Sequence, residues 1–163
     1  MPRSLEGQVG IISGGLGDIG RAIALELARR GADVAIGDIR DEKDATPTLR
    51  RIKALRRKCR YDRVDVSDSD AVWQWIKDVE GDLGVPTLIV PNAAIVKIVG
   101  LNDLTPKEWR QELSVNLDGA FYLAHAATQR LLKKKKPGRV VFIGSWAGHA
   151  VHLHIPTYCV GKA

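Results

Sequence analysis

The pair of residues best suited to chemistry lies near the end of this 163-residue chain, in "TYCVGKA". Tyr158 and Lys162 are four positions apart, so on a helix the phenol and the ammonium share one face. A tyrosine with an ordinary pKa of about 10 is a poor base at neutral pH. A neighbouring cation stabilises the phenolate and lowers that pKa, so the phenol can exchange a proton with a substrate oxygen. The same spacing is also typical of an ordinary pair on a helix surface.

A second group with chemical potential is the glycine-rich turn "SGGLGDIG", which lies between an apolar strand-like run and a helical pattern. Gly15, Gly17 and Gly20 form G-x-G-x-x-G. Glycine lets the backbone approach a pyrophosphate, whose charge is met by the amide N–H groups that begin the helix. A simple tight turn is the alternative, but the strand and helix on either side favour dinucleotide binding. The predicted cofactor contacts here are Ser13, Gly14, Gly15, Gly17, Asp18, Ile19 and Gly20.

An acidic residue, Asp38, ends the next strand-like run, "DVAIGD". In a dinucleotide site, an acid at this place accepts hydrogen bonds from the adenosine ribose hydroxyls. The same carboxylate repels the additional 2′-phosphate of NADP. Arg40 lies close by and could pair with that phosphate. We nevertheless predict NAD as the cofactor in preference to NADP.

The elements that must position these residues alternate between strands and helices along the whole chain. Such alternation predicts an α/β fold, with a parallel sheet and helices on both faces. We therefore expect a Rossmann-like, doubly wound sheet in a single domain over residues 1–163. The predicted strands are 8–13, 33–38, 61–66, 86–94 and 139–144. The predicted helices are 19–31, 46–58 with Thr46 as N-cap, 67–84, and 105–136 with a Thr105/Glu108 capping box.

Composition and charge exclude several classes of protein. The chain is 45% hydrophobic and 27% charged, which predicts a packed core. No apolar run approaches the roughly 20 residues of a membrane span, and the first residues do not resemble an export signal. The net charge of +6 comes mainly from two predicted helix ends without interleaved aromatic residues, so we expect no nucleic-acid partner. Cys59 and Cys159 form no metal or disulfide pattern, so we expect a cytoplasmic protein without a metal.

Six motifs in order resemble those of the short-chain dehydrogenase/reductase family, over essentially the whole chain. The first is the glycine turn, and the second is Asp65–Val66, which resembles the pair that meets adenine. "PNAA" at 91–94 stands where the family has Asn-Asn-Ala-Gly. "VNLDGAF", "IGSWAG" and "YCVGK" complete the set. Each motif is weak by itself, but their order and separations are specific to the family.

The resemblance implies an NAD(P)-dependent oxidoreductase that interconverts a secondary alcohol and a ketone. In this interpretation Tyr158 is the acid/base and Ser145 hydrogen-bonds the substrate oxygen. Lys162 lowers the phenol pKa and holds the nicotinamide ribose, and Asn116 anchors a water that links Lys162 to solvent. The cofactor carries the hydride. The cofactor contacts implied by these motifs are Asp65, Val66, Asn92, Ala93, Tyr158 and Lys162.

Departures from the family pattern leave alternatives open. Asp18 replaces the commonest glycine of the turn, and Pro91 and Ala94 replace two residues of the fourth-strand motif. The turn also fits G-x-x-G-x-x-G, which is typical of nucleotide-sugar epimerases and dehydratases of the extended branch. The "VNLDGAF" motif and the short interval between Ser145 and Tyr158 resemble the oxidoreductase branch instead. A dinucleotide-binding module without turnover is a further alternative.

Family members continue beyond the Tyr-x-x-x-Lys helix, so we expect the last strands of the sheet to be missing at the C-terminus of this chain. The full-length protein is expected to be a homo-oligomer. The loop "WAGHAVHLHIP" borders the substrate in this family, and it contains His149, His152 and His154. These histidines could be packing residues, substrate contacts or metal ligands. The metal alternative lacks a nearby acid or cysteine.

Overall fold

A parallel sheet lies at the centre of the structure, a computed structural model that describes residues 4–163. Within those residues the strand order is β3-β2-β1-β4-β5. The first three residues of the predicted domain 1–163 lie outside the described residues. The inner strands are near-continuous apolar runs because both faces of the sheet are covered. The strands are β1 (Val9–Ser13), β2 (Asp33–Asp38), β3 (Cys59–Arg63), β4 (Leu88–Val90) and β5 (Arg139–Val140).

Helices cover both faces of the sheet. Successive strand residues point to opposite faces: Ile12 packs in the apolar cluster that contains α1 and α2 residues, and Ile11 packs in the cluster that contains α3 and α5 residues. The predicted Rossmann-like, doubly wound fold is therefore confirmed. The helices are α1 (Asp18–Arg29), α2 (Glu42–Ala54), α3 (Ser69–Asp82), α4 (Pro106–Leu113), α5 (Gly119–Lys133) and α6 (Pro156–Lys162).

The strand order reverses at β1. From β1 the chain moves outward to β2 and β3, and it then crosses to β4 on the other side of β1. The connections that follow β1 and β4 therefore lead away in opposite directions and leave a crevice at the carboxyl ends of the strands. Ligands of open α/β sheets bind at such a switch point.

Several predicted boundaries were wrong: β4 and β5 are shorter than the predicted strands 86–94 and 139–144, and the bounds of α2 and β3 are shifted. Helix α2 begins at Glu42 with Asp41 as N-cap, whereas Thr46, the predicted N-cap, lies inside the helix. The acidic residues Glu42 and Asp44 suit the positive end of the helix dipole, which explains the earlier start. Strand β3 spans Cys59–Arg63 because it pairs in register with Val34–Asp38. Residues 64–66 were predicted as strand, but the strand ends at Arg63, after which the Val64 amide still donates to the Asp38 carbonyl at 2.9 Å.

The predicted continuous helix over 105–136 was also wrong. Helix α4 ends at Leu113, a π-helical turn spans Ser114–Asp118, and α5 begins at Gly119. The capping box at the start of α4 is confirmed: the Thr105 hydroxyl accepts from the Glu108 amide, and the Glu108 carboxylate accepts from the Thr105 amide. Isolated π-helical turns occur frequently at functional sites, and this one contains Asn116.

Candidate active site

The four glycines of the turn between β1 and α1 differ in whether, and why, the fold requires glycine at their positions. Gly14 has a φ of 63°, which favours glycine. An added Cβ at Gly15 would lie 2.5 Å from Ile36 Cγ2, and one at Gly20 would lie 2.4 Å from the Gly14 carbonyl oxygen. At Gly17 an added Cβ would meet a single atom of the described chain within 4 Å, the Gly14 carbonyl oxygen at 3.4 Å. The fold therefore requires three of these glycines, whereas at Gly17 it leaves space.

That space belongs to a cleft of 720 Å³ at the switch point between β1 and β4. Its volume is in the range of small-molecule and cofactor sites. The structure brings most of the predicted cofactor residues together around it: Gly14, Gly17, Asp18, Ile19, Gly20, Asp38, Asp65, Val66, Asn92 and Ala93. The sequence analysis missed further lining residues that follow strand ends or lie on α4 and the π-helical turn: Ile39, Val64, Ala94, Ile95, Gln111 and Val115.

Two predicted residues, Ser13 and Asn92, connect the ends of β1 and β4. The Ser13 hydroxyl oxygen accepts from the amides of Asn92 and Ala93, both at 3.1 Å. The Asn92 side-chain amide donates to the carbonyl oxygens of Ser13 at 2.9 Å and Gly14 at 3.1 Å. Gly15 donates its amide to the Gly37 carbonyl at 3.2 Å. These hydrogen bonds fix the glycine turn against the neighbouring strands.

The buried carboxylate of Asp38 organises the far end of the cleft. Its Oδ2 accepts from the Leu16 amide at 3.0 Å, and its Oδ1 accepts from the Arg40 amide and the Arg40 Nε, both at 3.3 Å. The Tyr61 hydroxyl donates to the Arg40 carbonyl. Burial raises the pKa of Tyr61 to about 12, so this hydroxyl keeps its proton at neutral pH. Tyr61, which the sequence analysis missed, thereby supports the backbone next to the carboxylate.

The predicted catalytic pair lies on α6. Lys162 Nζ is 5.9 Å from the centroid of the Tyr158 ring and donates to the Ile143 carbonyl at 2.9 Å. The two side chains therefore lie on the same side of the helix, as their spacing predicts. Burial lowers the pKa of Lys162. Ser145 caps a short 3₁₀ turn, and its hydroxyl oxygen accepts from the Ala147 amide at 3.2 Å.

Asn116 connects the π-helical turn to the segment after β4 and to α6. Its Oδ1 accepts from the Ile95 amide at 2.9 Å, and its Nδ2 donates to the Ile95 carbonyl at 2.8 Å. An added Cβ at Gly161 would lie 3.1 Å from Asn116 Cβ, so this glycine lets α6 approach closely. Asn116 and Lys162 both line a second cavity, of 280 Å³.

The loop between Ser145 and α6 contains the three histidines. The rings of Trp146 and His152 meet edge to face with centroids 3.9 Å apart, whereas His149 and His154 are exposed. Among residues 4–163, no group of three or more His, Cys, Asp or Glu side chains is placed to hold a metal ion. In the same part of the chain, no helix is long and apolar enough to cross a membrane.

Comparison with known proteins identifies the family. The family model described as short chain dehydrogenase matches residues 8–163. The chain belongs to the short-chain dehydrogenase family. Its fold and its glycine turn agree with this membership, and the family is one of oxidoreductases that use NAD or NADP.

Individual short-chain dehydrogenases match over nearly the whole chain. A short-chain dehydrogenase/reductase of Armillaria gallica is 35% identical over 158 residues, which cover 96% of this chain and 60% of the relative. The probable oxidoreductase EphD of Mycobacterium tuberculosis is 35% identical over 153 residues, which cover 93% of this chain and 26% of the relative. The crystal structure of a short-chain type dehydrogenase/reductase from Mycobacterium marinum superimposes with a TM-score of 0.93 at 26% identity, covering 98% of this chain and 65% of that one. The chain therefore spans less than two thirds of the length of each of these three relatives.

Proposed function

We propose that the full-length protein is an NAD-dependent oxidoreductase that interconverts a small secondary alcohol and the corresponding ketone. The observation that carries this proposal is the position of the Lys162 ammonium, 5.9 Å from the centroid of the Tyr158 ring. The ammonium and the phenol therefore lie on the same side of α6. Tyr158 can then act as a base in alcohol oxidation and as an acid in ketone reduction.

The cleft fits a dinucleotide. The open space at Gly17 and the amides that begin α1 suit a pyrophosphate. The Asp38 carboxylate suits the adenosine ribose, and Asp65–Val66 suit the adenine. NAD is favoured over NADP because Asp38 is 8% exposed at the cleft and would repel a 2′-phosphate, while Arg40 Nε is already paired with Asp38.

The chain's own residues supply the proton chemistry. Bound NAD supplies the acceptor for the hydride that leaves the carbinol carbon. The Tyr158 phenolate takes the proton from the alcohol oxygen, and the Ser145 hydroxyl donates to that oxygen as it becomes a carbonyl. Lys162 stabilises the phenolate. The proton then reaches solvent through water in the 280 Å³ cavity shared by Lys162 and Asn116.

The experiment that tests this function compares Tyr158→Phe with wild type in the full-length protein. Secondary alcohols are offered with NAD⁺, and NADH formation is followed by absorbance. We expect Tyr158→Phe to abolish turnover while NADH binding stays nearly unchanged. Tyr122→Phe is the matched control, since Tyr122 is a half-buried tyrosine packed against the core cluster that includes α3 and α5. Wild-type rates in Tyr158→Phe would refute the proposed acid/base.

The same assay separates the alternative functions. An epimerase or dehydratase would convert its substrate without net formation of NADH. A binding module would gain thermal stability from the cofactor without any turnover. Only the proposed dehydrogenase forms NADH in proportion to ketone.

We also propose a domain role, a cellular compartment and an oligomeric state for the protein. Residues 1–163 would form its dinucleotide-binding domain, and the full-length protein would be a cytoplasmic homo-oligomer without nucleic-acid or membrane partners. The family resemblance supports the oligomer, and the free cysteines Cys59 and Cys159 suit a reducing compartment. Sedimentation equilibrium of the full-length protein tests the oligomer directly.

A further inference from the structure

Two loops near the proposed catalytic residues expose apolar side chains at alternate positions. After β4, Val96 is 52% and Ile98 is 83% exposed, whereas Lys97 between them is half-buried. Between Ser145 and Tyr158, Val151 is 85% and Leu153 is 77% exposed, and His152 between them is half-buried. In the first loop this alternation is typical of an extended backbone with one side toward solvent, whereas Leu153 lies in a turn in which the Ile155 amide donates to the His152 carbonyl at 3.2 Å.

The two loops lie against each other. The Val99 amide donates to the His154 carbonyl at 2.8 Å. An added Cβ at Gly100 would lie 3.9 Å from the Leu153 carbonyl oxygen. These contacts place the two loops, which carry the exposed apolar side chains, side by side. We define the apolar rim as Val96, Ile98, Leu101, Trp146, Val151 and Leu153.

The apolar rim adjoins both the cofactor cleft and the proposed catalytic residues. It begins directly after Ala94 and Ile95, which line the cofactor cleft. Its second half lies between Ser145 and Tyr158 in the chain, so both ends of that loop carry proposed catalytic residues. A bound substrate whose oxygen meets Ser145 and Tyr158 must place its remaining atoms near these loops.

Hydrogen bonds hold the first loop in place at two points. The Asn116 side chain bonds both backbone groups of Ile95, and the Val99 amide donates to the His154 carbonyl. The rim residues Val96 and Ile98 lie next to these anchored positions and remain exposed. A rim on an anchored backbone is suited to a ligand because the binding surface is already formed.

Two polar side chains along the rim are held against other residues. Lys97 Nζ pairs with the Glu108 carboxylate at 3.1 Å, and His152 packs against the Trp146 ring. In the second loop, the polar side chains of His149 and His154 are exposed. A substrate with many hydroxyl groups would leave most of them facing aliphatic carbon, which is unfavourable for buried polar groups.

We propose that the apolar rim selects secondary alcohols and ketones with a hydrocarbon skeleton over polyhydroxylated ones. This inference rests on the proposed function, and it names the substrate class for that site. Apolar surface removed from water contributes in proportion to its area. The preference should therefore grow with each methylene group that the rim covers.

The test offers matched ring alcohols to the full-length protein with NAD⁺. Cyclohexanol and myo-inositol share a six-membered carbon ring and differ in the number of hydroxyl groups. We expect a higher kcat/KM for cyclohexanol. From cyclopentanol to cyclohexanol to cycloheptanol, we expect kcat/KM to rise about two- to fourfold per methylene, the upper value corresponding to about 0.8 kcal/mol for a fully buried CH₂.

Variants connect the preference to the rim. Ile98→Asn and Val151→Asn should reduce the rise per methylene, whereas Leu132→Asn should leave it unchanged. Leu132 is 67% exposed near the far end of α5 and lines neither cavity. NADH binding and a thermal melt confirm that each variant is folded.

Each result has a defined consequence. A higher kcat/KM for myo-inositol, or an unchanged rise per methylene in both rim variants, would overturn the rim proposal and leave the proposed function standing. Failure to oxidise any alcohol despite NADH binding would overturn the proposed function, and the rim proposal with it.

Discussion

The glycine at position 17 offers the sharpest test of the cofactor site, because the fold itself tolerates a side chain there. In Gly17→Ala, the added methyl group would meet the Gly14 carbonyl oxygen at an ordinary contact distance of 3.4 Å. The backbone at Gly17 has a φ of −73°, which alanine adopts without strain. The methyl group would project into the space where the pyrophosphate is proposed to lie.

The expected magnitudes separate binding from stability. Gly17 is the N-cap of α1, and alanine at an N-cap costs roughly 0.5–1 kcal/mol relative to glycine. Replacing glycine by alanine also restricts the unfolded chain, which stabilises the fold by about 0.4–1 kcal/mol. The free energy of unfolding should therefore change little. Displacing the pyrophosphate would break one charge-assisted hydrogen bond, which costs about 1.5–3 kcal/mol of binding free energy. This loss corresponds to a roughly 10- to 150-fold increase in the Kd for NADH.

The assay combines NADH fluorescence titration with thermal unfolding of the full-length protein. Gly20→Ala is the matched control, since its methyl group would lie 2.4 Å from the Gly14 carbonyl oxygen and 2.8 Å from Asn92 Nδ2. Overpacking of this kind costs about 1–3 kcal/mol, so the Tm of Gly20→Ala should fall by roughly 2–12 °C. Wild-type NADH affinity in Gly17→Ala would refute the proposed position of the pyrophosphate. A large loss of Tm in Gly17→Ala would show that the fold needs this glycine.

Three further predictions follow from polar contacts. Asp38→Ala removes the carboxylate that repels a 2′-phosphate, and it also releases Arg40. The ratio of kcat/KM with NADP to kcat/KM with NAD should therefore rise about tenfold or more. An unchanged ratio in steady-state assays would contradict the assignment of Asp38 to the adenosine ribose. Burial raises the pKa of Glu112, so its contribution to stability is lost as pH rises from the unfolded pKa of about 4.3 through the folded pKa. Glu112→Gln should therefore gain stability over wild type in urea at neutral pH but not at acid pH, and a difference independent of pH would contradict this. The Thr105 hydroxyl caps α4 and helps to lower the pKa of Glu108 to about 2. Removing it in Thr105→Ala should lower the free energy of unfolding by about 1 kcal/mol and the Tm by roughly 2–4 °C. An unchanged Tm would show that the cap contributes nothing to stability.

The alternation of elements, the glycine turn and the capping box were predictable because they depend on neighbours in the chain. Hydrophobic periodicity decides whether a segment becomes strand or helix. The turn after β1 needs glycine for local backbone reasons, as the φ of Gly14 shows. The Thr105/Glu108 box involves residues three positions apart. Patterns of this range are complete in the sequence before the chain folds.

Other features depend on partners distant in the chain, and only the tertiary structure decided them. Strand β3 ends at Arg63 because β2 fixes its register, and residues 64–66 then line the cleft. Asn116 lies in a π-helical turn where its side chain meets the backbone of Ile95, and no local pattern signals that turn. Glu112 is read from sequence as an ordinary helix carboxylate, yet the packing of α4 leaves it 1% exposed. Residue types and spacing determined the family of this chain and the identity of its candidate residues, whereas their burial, their partners and the apolar rim were set by contacts between segments far apart in the sequence.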